Sequence, residues 1–356
     1  MDKILNSISH LLKRVSIKEK AFFARQLATM LSSGLPLTQS LYILATQTRN
    51  EYFKSVLNEV VFDLESGYNL HNALEKHPRV FNKVFTSLIK AGESSGKLEQ
   101  ILDDLAIQIE NDNAFISKIR SAMLYPLFIF LMLLGVGILM LVKVIPQLQE
   151  VFDESGAQLP WVTRTLIALS SFMIHFWWVC ILIIIGIVVG IKFLMQTDFA
   201  QYYWNKFKIH GPIIGSVSVG VYMHRFTNTL SLLTSSGIPI IESLHIVGEV
   251  MNNQIYIEEL EDIAAQVERG VPMSVPLSKN SDFPLIVSQM IMVGEQTGKL
   301  EKVLSGLAKY YWEETDNKIK GISSLFEPVI IVFIGGGVAF LIFAILMPIY
   351  NIAQLQ

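Results

Sequence analysis

The chain is written twice. "FARQLATMLSSGLPLTQSL" from Phe23 to Leu41 returns as "FTNTLSLLTSSGIPIIESL" from Phe226 to Leu244, an offset of 203. "AGESSGKLEQ" (Ala91–Gln100) returns as "VGEQTGKLEK" (Val293–Lys302), and Pro126 and Pro146 return as Pro328 and Pro348, each at an offset of 202. Repetition on this scale means that one structural unit, a polar helical domain followed by one apolar stretch, is present in two copies.

The apolar stretches set the second constraint. "LFIFLMLLGVGILMLVKVI" (Leu127–Ile145) holds one charge, Lys143, at its far end, and at about 1.5 Å per residue it reaches roughly across a bilayer core. "FMIHFWWVCILIIIGIVVGI" (Phe172–Ile191) is of similar length, and "VIIVFIGGGVAFLIFAILM" (Val329–Met347) has no charge at all. With 51% hydrophobic and 17% charged residues, the chain departs from the composition of an ordinary soluble protein. Three transmembrane helices are expected. The middle one, anchored by Trp161, Trp177 and Trp178, has no counterpart in the repeat and returns the chain to its starting side. The N-terminus intersperses charge throughout and does not read as a signal peptide. Basic residues favour an internal N-terminus: Lys118, Arg120, Lys192, Lys206, Lys208, Lys318 and Lys320 flank one side, Lys143 and Arg164 the other.

The expected organisation is therefore all-α: a first cytoplasmic helical bundle over 1–124, a span over 125–146, an extracytoplasmic loop over 147–165 and a span over 166–194. A second cytoplasmic bundle follows over 195–326, a third span over 327–348 and a short outer tail over 349–356. Within the bundles the periodicity is helical, as in Phe53, Val56, Leu57, Val60, Val61 and Leu64. Gly34 with Pro36, and Gly237 with Pro239, read as a left-handed helix stop followed by a proline restart. Gly67 and Gly270 stop a further helix in each copy, and Asn69 is the expected cap of the short helix after it.

Several chemistries are excluded. The formal net charge of −3 argues against a nucleic-acid partner. Cys180 is the single cysteine, so no intrachain disulfide or thiolate cluster is available. The glycine–lysine corners look like phosphate loops but fail the spacing: Gly92 and Gly96 enclose three residues rather than four, and Leu98 stands where a magnesium-binding hydroxyl belongs. Gly294, Gly298 and Leu300 fail in the same way. The corners read instead as helix–helix turns, with positive φ at Gly92 and Gly294, and with Ser95 or Thr297 capping the next helix. The histidines form no i, i+4 ligand pair, and no nucleophile constellation is present, so no catalytic residue and no cofactor are expected.

At these residues the chain resembles the inner-membrane platform proteins of type II secretion and type IV pilus machines, the GspF/PilC family. The paired "SSGLPL" and "SSGIPI" turns carry the resemblance, together with the paired "GESSGKLE" and "GEQTGKLE" corners, Tyr125–Pro126 before the first span and Glu327–Pro328 before the last. It covers about Ser16 to Tyr350; the longer N-terminal extension of many members is missing. It implies two six-helix cytoplasmic bundles, three spans, no enzymatic activity and self-association in a bacterial inner membrane. The implied partners are a hexameric cytoplasmic ATPase, pilins or pseudopilins, and other inner-membrane assembly proteins. A duplicated transporter or channel is the alternative, disfavoured by having only three spans and no charged pathway across them.

Some charged and small residues suggest particular roles. Glu327, at the mouth of the last span, either caps its helix at the interface or faces a partner. The resemblance suggests a cation at Glu93, with Glu99, Asp103 and Asp104 nearby; the simpler expectation is that Glu93 and Glu295 favour the N-terminus of the helix that follows. Gly335 and Ala339 form a small-xxx-small pair with Gly336 and Gly337 beside them, suited to helix packing. Pro126 and Pro328 each remove a backbone hydrogen bond, and are expected to allow a bend that transmits motion from bundle to span.

Overall fold

The computed structural model describes residues 15–146, 161–194, 197–212 and 214–353, and these contain helices and turns with no strand. The charged N-terminal stretch over 1–14, most of the expected outer loop and the last three residues lie outside that range, as do the side chains of Cys180 and Glu327.

The first copy comprises α1 (Ile17–Ser32), α2 (Leu37–Gln47), α3 (Glu51–Glu65), α4 (Leu70–Glu75), α5 (Lys83–Ser95) and α6 (Leu98–Leu139). A π-helical turn over Met140–Val144 continues α6. The second copy comprises α10 (Ile214–Ser235), α11 (Ile240–Met251), α12 (Gln254–Glu268), α13 (Ser274–Lys279), α14 (Leu285–Thr297) and α15 (Leu300–Ala353). Between the copies run α7 (Trp161–His175), α8 (Trp177–Leu194) and α9 (Asp198–His210).

The helix boundaries follow from local chemistry. A capping box starts α1: Ser16 Oγ accepts from the Glu19 amide at 3.1 Å while the Ser16 amide donates to the Glu19 carboxylate at 2.7 Å. Asn50 caps α3 by accepting from the Phe53 amide, and its repeat Asn253 caps α12 through the Ile255 amide. Gly34, Gly67, Gly237 and Gly270 all end helices at positive φ, where a side chain would be strained. Pro36 and Pro239 then occupy the cap positions of α2 and α11, as the sequence predicts.

The duplication extends into the core. Phe23, Phe53 and Phe81 meet in the first copy, with Phe23–Phe53 edge to face at 5.6 Å and Phe23–Phe81 at 5.7 Å. Their repeats are Phe226, Tyr256 and Phe283, with Phe226–Phe283 at 5.4 Å and Tyr256–Phe283 at 5.2 Å. Such tilted and edge-on pairs add to the area that the rings bury. The phenol at Tyr256 would be costly to bury unpaired, and its hydroxyl donates to the Asp282 carbonyl at 3.0 Å.

The chain divides into two compact units. One joins the described residues up to Lys118 with Asn205–Asp316; the other joins Ile119–Trp204 with the chain from Asn317 onward. Both repeated bundles thus belong to a single unit.

In the second unit the apolar helices expose most of their large side chains, among them Phe128, Leu131, Ile183, Val188, Val332 and Phe333. Exposure of this kind suits lipid rather than water. Among the described residues, the helix over Leu98–Val144 is long and apolar enough to cross a membrane, and the pair Ile167–His175 and Trp177–Gly190 passes the same test if counted as one span. Pro328–Ala339 is a shorter apolar stretch.

Three expectations need correction. The middle apolar run is not one helix: α7 and α8 are bent by 74° at Phe176. The helix α7 already begins at Trp161, within the stretch expected as the outer loop. Finally, Pro126, Pro328 and Pro348 interrupt nothing, since α6 and α15 run through them as continuous helices. A proline forfeits one intrahelical hydrogen bond, and the surrounding turns hold the helix together.

Candidate functional site

The two repeated corners are the parts of the fold in which nearly every residue of a motif has an assignable task. In the first, α5 ends in a Schellman arrangement: the Lys97 amide donates to the Gly92 carbonyl at 2.9 Å and the Gly96 amide to the Glu93 carbonyl at 3.4 Å. The second matches it, with Lys299 donating to Gly294 at 3.0 Å and Gly298 to Glu295 at 3.4 Å.

The two glycines of each corner serve different ends. Gly96 (φ 69°) and Gly298 (φ 64°) supply the left-handed residue. Gly92 and Gly294 do not, contrary to the sequence expectation; they lie inside α5 and α14 and allow close approach of the next helix. A Cβ on Gly92 would stand 3.1 Å from Leu98 Cα and 3.2 Å from Ile101 Cβ, and one on Gly294 would stand 3.0 Å from Leu300 Cα. Ser95 and Thr297 do not cap the following helix either. Their hydroxyls bond back to the Ala91 and Val293 carbonyls, each at 2.7 Å.

The acid between the glycines reaches backward. Glu93 accepts from the Leu70 amide at 2.7 Å and the His71 amide at 3.1 Å, with His71 Nδ1 at 2.5 Å from the same carboxylate. Glu295 accepts from the Met273 amide at 2.6 Å, the Ser274 amide at 3.3 Å and the Ser274 hydroxyl at 2.5 Å. Each carboxylate therefore caps the short helix, α4 or α13, from a distance, taking up amides that every helix start leaves unpaired. Asn69 occupies the cap position of α4, yet its side chain makes no capping bond. The dipole argument holds, but it applies to the helix before the corner rather than the one after it.

These contacts separate the candidate cation ligands. Glu93 is engaged with α4, and Asp103 pairs with Arg25, whose other nitrogen reaches Glu110 at 2.8 Å. Glu99, Asp103 and Asp104 line one surface groove together with Lys97, and Glu93 is not among its walls. Among the described residues no three acids, histidines or cysteines are placed to share a metal ion. Tyr125 and the glycines at 335–337 are exposed, and a Cβ on any of the three glycines would meet open space.

A second constellation, which sequence reasoning missed, lies where the two bundles meet. Phe115 of α6 is buried 4.7 Å from the rings of both His224 (α10) and Trp312 (α15). His224 Nδ1 lies 2.9 Å from the Ala308 carbonyl, and Lys118 pairs with Asp316 at 2.9 Å. Gly220 of α10 faces Thr315 so closely that an added Cβ would overlap its Oγ1.

Beside this contact a cleft of about 240 Å³ is lined by Lys20, Gln108, Asp112, His224 and Arg225. Burial pushes the Asp112 carboxyl up to about 6, although Arg225 and the Gln108 amide pull the other way. Burial lowers His224 and Lys20. No sequence period marks the whole group, because its members come from three helices, α1, α6 and α10. The arrangement ties the bundles together and presents no nucleophile with a base to activate it.

Comparison with known proteins agrees with this geometry. The family profile described as "Type II secretion system (T2SS), protein F" matches residues 23–146 and again 226–348, one match for each copy. The chain is 34% identical to the type IV pilus assembly protein PilC of Thermus thermophilus over 94% of its own length and 83% of the relative's. It is 34% identical to the type IV pilus assembly protein TapC of Aeromonas hydrophila, covering 94% and 81%. To the type II secretion system protein F of Vibrio cholerae it is 31% identical, covering 96% and 84%. With both copies matched and relatives aligned over most of their length, the chain belongs to the type II secretion system protein F family.

Proposed function

We propose that this chain is the non-enzymatic inner-membrane platform of a type IV pilus or type II secretion machine. In this reading it has two six-helix cytoplasmic bundles and three spans, with the N-terminus inside and the C-terminus outside. It couples a hexameric cytoplasmic ATPase to the extraction of pilins or pseudopilins from the bilayer, together with other inner-membrane assembly proteins and further copies of itself.

The observation that carries the proposal is the double match to protein F and to pilus assembly proteins, joined to helices that begin at the repeated corners and continue into apolar sequence. The contact through Phe115, His224 and Trp312 supports a role in which the bundles respond together. Glu327 and the small-residue face at Gly335–Gly337 and Ala339 are the proposed contacts for a pilin helix or a neighbouring copy. Tyr125–Pro126 and Glu327–Pro328 mark where the spans begin, and continuous helices there replace the bend as the means of transmission.

The test is removal of the chain from a fibre-forming host. The expected result is membrane-inserted pilin that accumulates without fibres, with full recovery on re-expression. Fibres of normal number in its absence would overturn the proposal. So would ATP hydrolysis by the purified chain alone.

A further inference from the structure

The helix after the middle apolar run has a composition unlike its neighbours. Five of the thirteen residues of α9 are aromatic: Phe199, Tyr202, Tyr203, Trp204 and Phe207. Helical spacing places Phe199, Tyr202, Tyr203, Lys206 and Phe207 along one stripe. The stripe stays uncovered: Phe199 is 73% exposed, Tyr203 56%, Tyr202 46% and Phe207 44%. Phe199 and Tyr203 stack on each other at 4.6 Å.

The last turns of the same helix are anchored. Ile209 is buried in the bundle core, and the Asn205 carbonyl accepts from Asn253 at 3.4 Å.

Two features identify what covers the stripe. Only three residues separate α9 from α8, whose apolar side chains are exposed along its length, so the stripe begins close in sequence to a membrane-facing helix. Phenylalanine, tyrosine and lysine together are also the composition that settles at headgroup depth, with rings among the upper acyl chains and an ammonium at the phosphates. Lys206 lies within the stripe, the charge sign that suits anionic lipid.

We propose that α9 lies in the headgroup layer of the membrane crossed by α8, with its Phe199–Phe207 stripe toward the acyl chains and Lys206 on anionic lipid phosphates. The inference rests on the membrane reading of α8.

The full chain, with Cys180→Ser, would be reconstituted in vesicles of three parts phosphatidylcholine to one part phosphatidylglycerol. Nitroxide labels would be placed singly at Val188, Gln201 and Tyr203, and their collision with oxygen and with a water-soluble nickel chelate measured. The expected outcome is a core-depth signal at 188, a headgroup-depth signal at 203 and an aqueous signal at 201. Replacing Lys206 by glutamine is expected to lower the embedded fraction at 203 about fivefold.

An aqueous signal at 203 with 188 in the core overturns the proposal alone, whereas an aqueous signal at 188 overturns the membrane reading itself. Spin–spin broadening at 203 that vanishes on dilution with unlabelled protein would assign the stripe to a second copy and overturn the proposal equally.

Discussion

Replacing Glu93 by alanine removes the acceptor for two backbone amides at the start of α4. Each charge-assisted bond of this kind contributes about 1.5–3 kcal/mol, and an amide left without a partner costs about 1–3 kcal/mol. The side chain is 20% exposed, so water recovers part of the loss. A destabilisation of about 3 kcal/mol is expected for Glu93→Ala. Glu93→Gln keeps one accepting oxygen and turns an NH2 group toward the other amide, for about 1.5–2 kcal/mol. In a folded unit of this size 3 kcal/mol lowers the melting temperature by roughly 6–12 °C.

Tryptophan fluorescence melts of the full chain in detergent would read the effect, with Glu99→Gln, a groove residue outside the capping contacts, as the neutral control. Glu295→Ala should match Glu93→Ala, because its bonds to Met273 and Ser274 repeat the arrangement. Calcium or a chelator should leave all the melts in place. A Glu93→Ala protein that melts with the wild type would refute the capping argument, and a calcium-dependent rise abolished by Glu93→Gln would replace it with the cation reading.

Other outcomes follow from the same contacts. Gly96→Ala and Gly298→Ala force a side chain into the left-handed region and should each cost about 1–2 kcal/mol, whereas Gly92→Ala should strain the α5–α6 crossing by about 1–3 kcal/mol, offset by up to about 1 kcal/mol of helix propensity. Chemical denaturation of the three variants separates these cases. Gly220→Ala should destabilise by about 1–3 kcal/mol and be largely rescued by Thr315→Ala, a coupling that a double-mutant cycle would measure. Phe115→Ala should cost about 3–5 kcal/mol and speed proteolysis between the bundles. Asp112 binds its proton more tightly folded than unfolded, so its contribution to stability is fully present at low pH and is lost as pH rises from about 4 through about 6, by at most about 3 kcal/mol, with no further change above. Denaturation midpoints across that window should lose this slope in Asp112→Asn.

Much of the architecture was legible because it depends on local rules. The glycine–proline restarts at Gly34 and Gly237 and the apolar runs announce themselves by residue type. The Ser16–Glu19 capping box is equally local, written in the sequence as S-x-x-E. What stayed hidden depends on distance. A glycine that ends a helix and one that admits a neighbouring helix look alike in one dimension, which is why the positive φ expected at Gly92 falls at Gly96. The break at Phe176 falls within uniformly apolar sequence, where hydropathy has no contrast to offer. Phe115, His224, Asp112 and Trp312 meet only after two distant halves fold against each other, and no period in either half encodes that meeting.

The corner also has a mechanical consequence. Leu98 and Ile101 sit against the bare backbone at Gly92, and the next residue's carboxylate grips the first amides of α4. In the proposed role, a pull along α6 would load the Gly92 seat and, through that one carboxylate, the short helix beyond. The corner would then act as a pawl whose tooth is a single glutamate, present once in each half.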